Sequence, residues 1–161
     1  MNTVYIIPKS VDPYGFAKQI LSKKFNITDF EIDYKANGKP YLKNLPDFYF
    51  NISHSNKMQA VAVGDCEIGV DIEFLRKVDL RVARRFTKEE YDYITEADSD
   101  MRFFEIWTKK EAYLKYTGDG ILGGLNSANV LKSPIPIKTY FKDGYVISVC
   151  CEKEVEVKYE I

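Results

Sequence analysis

The chain has 161 residues, 45% of them apolar and 29% charged, and a formal net charge of −1. This size and composition are typical of one compact globular domain with a real hydrophobic core. The near-zero charge gives no support for nucleic-acid binding, and the longest apolar runs are too short to cross a membrane. The first ten residues, MNTVYIIPKS, lack the basic start and the long apolar middle of a signal peptide.

The chain contains three cysteines and one histidine. Cys150 and Cys151 are neighbours in a predicted strand and therefore point to opposite faces, and Cys66 makes the number odd. We expect free thiols and no zinc site, which is typical of a reducing, cytoplasmic location. Because His54 is the single histidine, a multi-histidine metal centre is excluded.

The N-terminal part predicts several strands and one helix. TVYIIP has the pattern of a strand that Pro8 ends, and YGFAKQILSKKF has the apolar spacing of a helix. DFEIDY alternates as a strand does, and Asn37-Gly38 is a strong turn signal before KPYL. DFYFNISHS predicts another strand, and MQAVAVGDCEIGVDIEF predicts two strands joined tightly, as a hairpin, near Gly64-Asp65.

The C-terminal part predicts two helices followed by strands. RFTKEEYDYITEAD contains a capping box, Thr87 with Glu90, at which a helix begins. SDMRFFEIWTKKEAYLKYTGDG predicts a second helix that Gly118 ends. IKTYFKDGYVISVCCEKEVEVKYEI predicts two or three strands with a hairpin turn at Asp143-Gly144.

The order of these elements predicts the α+β class, with mixed and mostly antiparallel strand pairing. Strands and a packed helix occur in each of two halves, 1–66 and 67–161, which we expect to form one compact unit. No linker rich in Pro, Gly or Ser divides them. The sequence identity between the halves is too low to establish an internal repeat.

The stretch EIGVDIEF combines an apolar strand with two acids. Because side chains alternate along a strand, the apolar residues face one way, and Asp71 and Glu73 lie side by side on the other face. Two carboxylates on a partly buried face repel each other, so this position favours a bound cation. Magnesium fits such a site, since it binds few protein carboxylates and completes its shell with water and phosphate oxygens.

Glu111, in the segment WTKKEAYLK, is the candidate third acid. Lys115 follows four residues later and therefore lies on the same helix face. A carboxylate for metal binding or proton removal, beside a cation for phosphate, suits phosphoryl chemistry, in which positioning and charge neutralisation do most of the work.

Structural explanations of the same residues stay open at this stage. Asp71 and Glu73 fit the solvated face of an edge strand, and spacing alone favours that explanation. Thr108 with Glu111 fits a second capping box, although the helical pattern of RFFEIW places Thr108 inside a helix. Glu111 with Lys115 fits an ordinary surface ion pair, which contributes about 0.2–0.5 kcal/mol.

The strand that ends in FNISHS lies shortly before the acidic strand in sequence. Ser53, His54 or the backbone N–H groups at this strand end could donate hydrogen bonds to phosphate oxygens. A hydrogen-bonded turn histidine is the commoner role for a single histidine. A Ser-His nucleophile pair does not fit, because adjacent strand residues diverge and no glycine-flanked elbow is present.

Five segments in the same order resemble the 4′-phosphopantetheinyl transferases: GKPYL, FNISHS, IGVDIE, RRFTKEEY and FFEIWTKKEAYLKYTGDG. The resemblance is to the longer, pseudo-dimeric kind, which activates carrier domains of peptide and polyketide synthetases. It implies two α+β halves related by a pseudo-twofold, with the active site in the cleft between them, in a chain that acts as a monomer.

The resemblance also implies roles for single residues. Asp71, Glu73 and Glu111 match magnesium ligands, with manganese as the alternative ion. Glu111 also matches the base that takes the proton of the attacking serine, directly or through water. The other matches concern coenzyme A: Lys115 for its pyrophosphate and the leaving group, Ser53 and His54 for its phosphates, Lys39 and Pro40 for the segment that packs on its adenine, and Lys110 as a basic position without a defined role.

The implied reaction has Glu111, Lys115 and His54 as its catalytic residues. The serine of an acyl or peptidyl carrier protein attacks the β-phosphate of coenzyme A, and 3′,5′-ADP leaves. No nucleic acid or membrane takes part. Two rival hypotheses are another magnesium-dependent phosphotransfer or phosphohydrolase reaction on the same acids, and a non-catalytic module that binds a carrier or a nucleotide.

Two groups of basic residues add to this prediction. Carrier proteins are typically acidic along the helix beside their serine, so a basic segment directly after the acidic strand is the candidate docking face, with a solvated helix face as the alternative. This basic segment comprises Arg76, Lys77, Arg81, Arg84 and Arg85. The candidates for binding the 3′-phosphate of coenzyme A, in an N-terminal region that is short for the family, are Lys9, Lys18, Lys23 and Lys24.

Overall fold

The computed structural model describes residues 1–36, 38–120 and 124–160. These residues form three α-helices and nine strands, which confirms the predicted α+β class. The helices are α1 (Pro13–Phe25), α2 (Lys88–Glu96) and α3 (Ser99–Thr117). The strands are β1 (Asn2–Pro8), β2 (Ile32–Tyr34), β3 (Pro40–Leu42), β4 (Tyr49–Ser55), β5 (Met58–Gly64), β6 (Gly69–Phe74), β7 (Ile137–Lys142), β8 (Tyr145–Cys150) and β9 (Val155–Tyr159).

The ends of the helices follow the sequence signals. The side chain of Asp12 caps α1 by accepting hydrogen bonds from two backbone N–H groups of its first turn. The predicted capping box of Thr87 and Glu90 begins α2. Gly118, with a φ of 76°, ends α3, and its N–H donates to the carbonyl of Leu114. The predicted start of α2 and the predicted end of α3 are therefore confirmed.

Four strands form a mixed sheet in the order β4-β5-β1-β9. β5 pairs antiparallel with β4 and with β1, whereas β9 runs parallel to β1. The predicted C-terminal half, 67–161, thus supplies one strand to a sheet whose other three strands come from 1–66.

Three strands form an antiparallel sheet in the order β6-β8-β7. The hairpin between β7 and β8 is confirmed, since Asp143 and Gly144 both have the positive φ that a tight two-residue turn requires. The predicted hairpin of β5 with β6 at Gly64-Asp65 is wrong. These strands follow each other closely in sequence, but they belong to different sheets, because each finds its partners elsewhere in the chain.

β2 and β3 form a small antiparallel pair beside the larger sheet. Gly38, in the connection between them, has a φ of 82°. Asn37, the first residue of the predicted Asn37-Gly38 turn, lies outside the described residues.

The two larger sheets pack face to face between helices. Tyr5 and Ile7 of β1 face α1, whereas Val4 and Ile6 face the three-stranded sheet, where they share a core with Ile72. The other face of the three-stranded sheet is covered by α2 and α3. The layers therefore run from α1 through the four-stranded and three-stranded sheets to α2 and α3. Among the described residues, no helix has the length and apolar content to cross a membrane.

Candidate active site

β6 carries both predicted acids on the face that α3 covers. Val70 and Ile72 are fully buried between the two sheets, so Asp71 and Glu73 point the other way. Asp71 is only 6% exposed. The alternative that these acids form a solvated edge face is therefore wrong for Asp71, although β6 is an edge strand of its sheet.

Gly69 allows α3 to lie directly on β6. A Cβ at this position would lie 1.9 Å from the carbonyl oxygen of Ala112 and 2.6 Å from the backbone nitrogen of Tyr116. No other residue type fits such a close approach of backbone to backbone. The contact brings the neighbouring residues of the helix, Glu111 and Lys115, beside the acids of β6.

Asp71 has one oxygen that is fully bonded and one that is not. Its Oδ1 accepts hydrogen bonds from Ser53 Oγ at 2.6 Å and from Lys115 Nζ at 2.8 Å. Its Oδ2 is buried and has no hydrogen-bond partner in the part of the chain that the structure describes. Burial raises the pKa of Asp71, while Lys115 and Ser53 lower it and the charge of Glu73 raises it. A buried carboxylate oxygen without a partner destabilises the fold unless a ligand binds it.

Glu73 is held in a similar way. Its Oε2 accepts a hydrogen bond from Ser55 Oγ at 2.9 Å and forms an ion pair of 3.0 Å with Arg76 Nη1. Its side chain is 21% exposed, so it lies closer to solvent than that of Asp71. Both acids of β6 therefore have one oxygen that a serine hydroxyl and a basic side chain hold together.

Glu111 lies in the interior of α3 and carries an unbonded carboxylate. Across residues 1–36, 38–120 and 124–160, no hydrogen bond to this carboxylate is formed. Burial raises the pKa of Glu111, the charges of Asp71 and Glu73 raise it further, and Lys115 lowers it. Because Lys115 pairs with Asp71, the alternative of an ordinary surface pair with Glu111 is wrong.

Thr108 lies in the middle of α3 and does not cap it. Its hydroxyl bonds to the carbonyl of Glu105 and to the hydroxyl of Ser148 in β8, at 3.2 Å and 2.8 Å. The alternative of a second capping box at Thr108 and Glu111 is therefore wrong.

The donor chemistry of this cluster fits a hard divalent cation. Asp71 Oδ2 and the Glu111 carboxylate are oxygen donors without hydrogen-bond partners among the described residues, and magnesium binds oxygen ligands of this kind. In the same described part of the chain, no group of three or more His, Cys, Asp or Glu side chains has the arrangement that holds a metal ion. The three-acid set of Asp71, Glu73 and Glu111 therefore stays a prediction.

Ser53 and His54 point to opposite sides of β4. Ser53 is buried against β6, where its hydroxyl bonds to Asp71. His54 is exposed, and its ring forms no hydrogen bond or ion pair with any of the three acids in the described structure. The structure thus brings Ser53 into the acidic cluster and does not bring His54 there.

A cleft of about 400 Å³ lies against Glu111 and Lys115. Lys39 and Pro40 also line this cleft, so the structure brings four predicted site residues to one cavity. Lys39 Nζ donates to Glu67 Oε1 at 2.5 Å and to the carbonyl of Tyr116 at 3.1 Å. Burial lowers the pKa of Lys39, while its pairing with Glu67 raises it.

Lys110 lies away from this cleft, although it precedes Glu111 in sequence. Its Nζ forms a buried ion pair of 2.7 Å with Glu90 and donates to the carbonyl of Ala128 at 2.6 Å. Burial lowers the pKa of Lys110, and the contact with Glu90 raises it. The structure gives Lys110 a place in the packing of α2 against α3, and its match to a coenzyme A position stays a prediction.

The basic segment from Arg76 to Arg85 is only partly engaged with its own chain. Arg76 binds Glu73 and lies over the ring of Phe104, with its guanidinium carbon 4.6 Å from the ring centre. Arg84 and Arg85 are exposed on the short 3₁₀ helix Val82–Arg85. Lys77 and Arg81 are also exposed but pair with Asp100 and Asp79, whereas Arg84 and Arg85 form no ion pair with the described residues.

Sequence reasoning missed several residues of the site. The sequence predicted site roles for Ser53 and His54 but not for Ser55. The signal for Ser55 is its i, i+2 spacing from Ser53, which places both serines on one strand face. Tyr14 and Tyr34 line the same cleft from α1 and β2 and are largely exposed. No local pattern indicated these tyrosines, because helix and strand meet only in the folded chain.

The chain matches a family model over the region that carries the acids. The model of the 4′-phosphopantetheinyl transferase superfamily matches residues 67–159, which include β6 and α3. The chain belongs to the 4′-phosphopantetheinyl transferase superfamily.

Relatives with known names agree with this family. The chain is 33% identical over 144 residues to 4′-phosphopantetheinyl transferase psf-1 of Bacillus pumilus, covering 78% of this chain and 62% of the relative. It is 32% identical over 154 residues to 4′-phosphopantetheinyl transferase Sfp of Bacillus subtilis, covering 83% and 69%. It is 37% identical over 119 residues to 4′-phosphopantetheinyl transferase HetI of Nostoc, covering 66% and 50%. The chain thus spans between 50% and 69% of the length of these three relatives.

Proposed function

We propose that this chain transfers the 4′-phosphopantetheine group of coenzyme A to a serine of an acyl or peptidyl carrier protein, releases 3′,5′-ADP and depends on magnesium. The observation that carries the proposal is the position of Glu111. Its carboxylate, which has no hydrogen-bond partner among the described residues, lies at the wall of the cleft beside the buried pair of Asp71 and Lys115. The names of the relatives support the reaction, and the presence of Lys39 and Lys115 in the lining of the cleft supports a substrate that carries phosphate groups.

The cleft suits a long substrate with a pyrophosphate in its middle. Lys115 offers a cation to the pyrophosphate at one wall, and Lys39 with Pro40 forms the wall against which the adenine would pack. Asp71, Glu73 and Glu111 would hold the metal ion, with manganese as the alternative to magnesium. When bound, such an ion supplies neutralisation of the negative charge on the pyrophosphate and on the leaving group.

The chemical step requires two proton transfers and one exchange of bonds at phosphorus. The serine oxygen forms a bond to the β-phosphorus, and the bond from that phosphorus to the bridging oxygen breaks, with its electron pair leaving on 3′,5′-ADP. Glu111 takes the serine proton, directly or through water. Lys115 is placed to stabilise the charge on the departing oxygen and to return a proton to it.

We also propose that 1–66 and 67–161 are two halves related by a pseudo-twofold, in a chain that acts as a monomer. The layered order of helix, sheet, sheet and helix supports this arrangement. The cleft lies between the halves, since Tyr34 and Lys39 come from the first and Glu111 and Lys115 from the second. The parallel pairing of β9 with β1 joins the halves across their boundary.

Incubation of the chain with coenzyme A, magnesium and an apo carrier protein tests this function. We expect a gain in carrier mass of about 340 Da, the size of the phosphopantetheine group, and its loss when a chelator removes the metal. Phosphate release without a change in carrier mass would instead support another phosphotransfer or phosphohydrolase reaction. Binding of coenzyme A or carrier without turnover would support a non-catalytic module.

A further inference from the structure

Side chains of β4 bond to the backbone of β6 along the edge of β6 that no strand pairs with in the described structure. Three side chains of β4, each two residues apart, accept hydrogen bonds from backbone N–H groups of β6. Asn51 Oδ1 accepts from Val70 at 3.0 Å, Ser53 Oγ from Ile72 at 3.4 Å, and Ser55 Oγ from Phe74 at 3.0 Å. Because β6 pairs with β8 through its other edge, these N–H groups would otherwise be buried without partners.

The two serines differ from Asn51 because each also binds an acid. A hydroxyl has one hydrogen to donate and two lone pairs that accept. As each hydroxyl accepts from the backbone of β6, its single hydrogen is directed to a carboxylate, Asp71 for Ser53 and Glu73 for Ser55. The same contact that joins β4 to β6 therefore fixes the orientation of both carboxylates.

The two acids are held in the same pattern. In each, one oxygen is shared by a serine hydroxyl and a basic side chain: Asp71 Oδ1 by Ser53 and Lys115, and Glu73 Oε2 by Ser55 and Arg76. The second oxygen of each acid accepts no hydrogen bond from the described residues, and that of Asp71 is fully buried. Each carboxylate thus presents a single unbonded oxygen.

We propose that Ser55, together with Ser53, is a positioning residue that holds the two acids of β6 so that each offers one oxygen to a divalent cation. The proposal rests on the proposed function only for the presence of that cation. It assigns Ser53 to the acids, where the family resemblance implies a contact with coenzyme A phosphate. Hydrogen-bond partners behind metal ligands typically change metal affinity by about 10–100-fold when they are removed.

Direct measurement of Mn²⁺ binding to the full chain tests this proposal without coenzyme A or carrier. Electron paramagnetic resonance of unbound Mn²⁺ gives the dissociation constant for each variant. We expect Ser55→Ala to weaken binding about 10-fold, and Ser55→Thr to restore it because the hydroxyl is kept. Ser53→Ala should weaken binding by a similar factor.

Thr139→Val is the matched control. Thr139 bonds to the hydroxyl of Ser148 at 2.8 Å, on the same sheet but two strands from β6, so its loss removes a hydroxyl without touching an acid. We expect unchanged Mn²⁺ affinity for this variant. Thermal unfolding of each variant separates a loss of fold from a loss of affinity. If Ser55→Ala unfolds, Ser55→Cys keeps the side-chain volume with a weaker donor and should bind Mn²⁺ with intermediate affinity.

Two results would overturn the proposal: equal Mn²⁺ affinity for folded Ser55→Ala and the unchanged chain, or no Mn²⁺ binding by the unchanged chain. Failure of carrier modification with a serine-dependent Mn²⁺ affinity would remove the proposed function and leave the positioning role intact. In the transfer assay, Ser55→Ala should raise the magnesium concentration for half-maximal rate about 10-fold. Its kcat at saturating magnesium should stay close to that of the unchanged chain.

Discussion

Helix α3 carries two lysines that pair with buried acids, and the two pairs differ in how completely they are bonded. In the closed pair, Lys110 and Glu90 are 3% and 0% exposed in their side chains, and both oxygens of Glu90 accept hydrogen bonds from the chain. In the open pair, Lys115 meets Asp71 at 2.8 Å, yet Asp71 Oδ2 is buried without a partner among the described residues.

The difference in hydrogen bonding indicates that the closed pair stabilises the fold, whereas the open pair is arranged to bind a ligand. A buried ion pair whose hydrogen bonds are all made stabilises one packing arrangement and needs nothing further. In the part of the chain that the structure describes, the buried Asp71 has an unbonded oxygen and the nearby Glu111 carboxylate accepts no hydrogen bond, which leaves a negative site that a cation would stabilise. The predictions below test this distinction in order of decreasing effect.

The replacement Glu111→Gln should have the largest effect. Gln has the same shape but cannot accept the serine proton and is a weaker metal ligand, so carrier modification should fall by about 10³-fold or more. The melting temperature should not fall, because the carboxylate has no hydrogen bond to lose in the described structure.

Glu105→Gln is the control for this variant on the same helix. Glu105 already binds Lys109 and Tyr93, at 2.6 Å and 2.8 Å, and it belongs to no part of the cleft described here. Its carrier modification rate should stay near that of the unchanged chain. Near-normal turnover by Glu111→Gln would remove Glu111 from the mechanism.

The replacement Lys110→Met should break the closed pair and lower stability. It leaves the charge of Glu90 buried without its cation, which typically destabilises a protein by about 3–5 kcal/mol. Urea unfolding measures this loss. At temperatures where the variant stays folded, its KM for coenzyme A should equal that of the unchanged chain.

The double variant Lys110→Met/Glu90→Gln is the control, because it also removes the stranded charge. Its free energy of unfolding should exceed that of the single Lys110→Met variant. A raised KM for coenzyme A with unchanged stability would instead return Lys110 to the substrate site, as the family resemblance implied.

The replacement Gly69→Ala should disturb the open pair while leaving the closed pair in place. A Cβ 1.9 Å from the Ala112 carbonyl oxygen forces α3 away from β6, which typically costs about 1–3 kcal/mol. A displacement of Glu111 and Lys115 of the order of 1 Å should lower kcat about 10²-fold. Gly15→Ala is the control, since its added Cβ would lie 2.7 Å from the Asp12 side chain that caps α1 and touches neither β6 nor α3.

Urea unfolding measures the stability of Gly69→Ala and Gly15→Ala, and carrier modification measures their kcat. Gly15→Ala should keep full activity. Full activity of Gly69→Ala would show that the spacing of α3 over β6 does not position the catalytic groups.

Much of this architecture could be predicted from local patterns. Alternation along EIGVDIEF placed Asp71 and Glu73 on one face, and the capping box and Gly118 marked two helix ends, because these signals depend only on residues close in sequence. The pairing of strands into sheets was predicted less well. β5 and β6 are neighbours in sequence but belong to different sheets, and β9 pairs with β1 from the other end of the chain.

The roles of Lys110 and Lys115 could not be separated in sequence. Five residues apart on a helix, they point about 140° away from each other, and only the packing of α3 decides which acid each one meets. Glu90 approaches from α2 and Asp71 from β6, and both contacts join residues at least 20 positions apart. The family resemblance matched both lysines to positions near coenzyme A, and in the structure Lys115 lines the cleft whereas Lys110 pairs with Glu90.

The replacement Lys115→Ala should weaken the use of coenzyme A more than the use of carrier protein. A charge-assisted hydrogen bond typically contributes about 1.5–3 kcal/mol, so the KM for coenzyme A should rise about 10–100-fold. The carrier KM should change little, because Lys115 lies at the wall of the cleft and not in the exposed basic segment.

Lys109→Ala is the control for Lys115→Ala. Lys109 lies on the same helix but pairs with Glu105 at 2.6 Å, away from the acids of β6. Initial rates at varied coenzyme A concentration measure both variants. An unchanged KM and kcat for coenzyme A in Lys115→Ala would contradict its role at the pyrophosphate.

The smallest effect on activity is expected from the exposed arginines of the basic segment. They can be compared with Arg76, which is bound to an acid of the site. Arg76 binds Glu73, whereas Arg84 and Arg85 are exposed beyond it. Reversal of both exposed charges, Arg84→Glu/Arg85→Glu, should raise the carrier KM several-fold at low salt with little change in kcat. The effect should fade as the Debye length shortens to about 3 Å at 1 M salt. The control is Lys138→Glu/Lys142→Glu on β7, which reverses the same amount of charge at another surface and should leave the carrier KM unchanged. A fall in kcat alone for the arginine variant would show that these arginines do not dock the carrier.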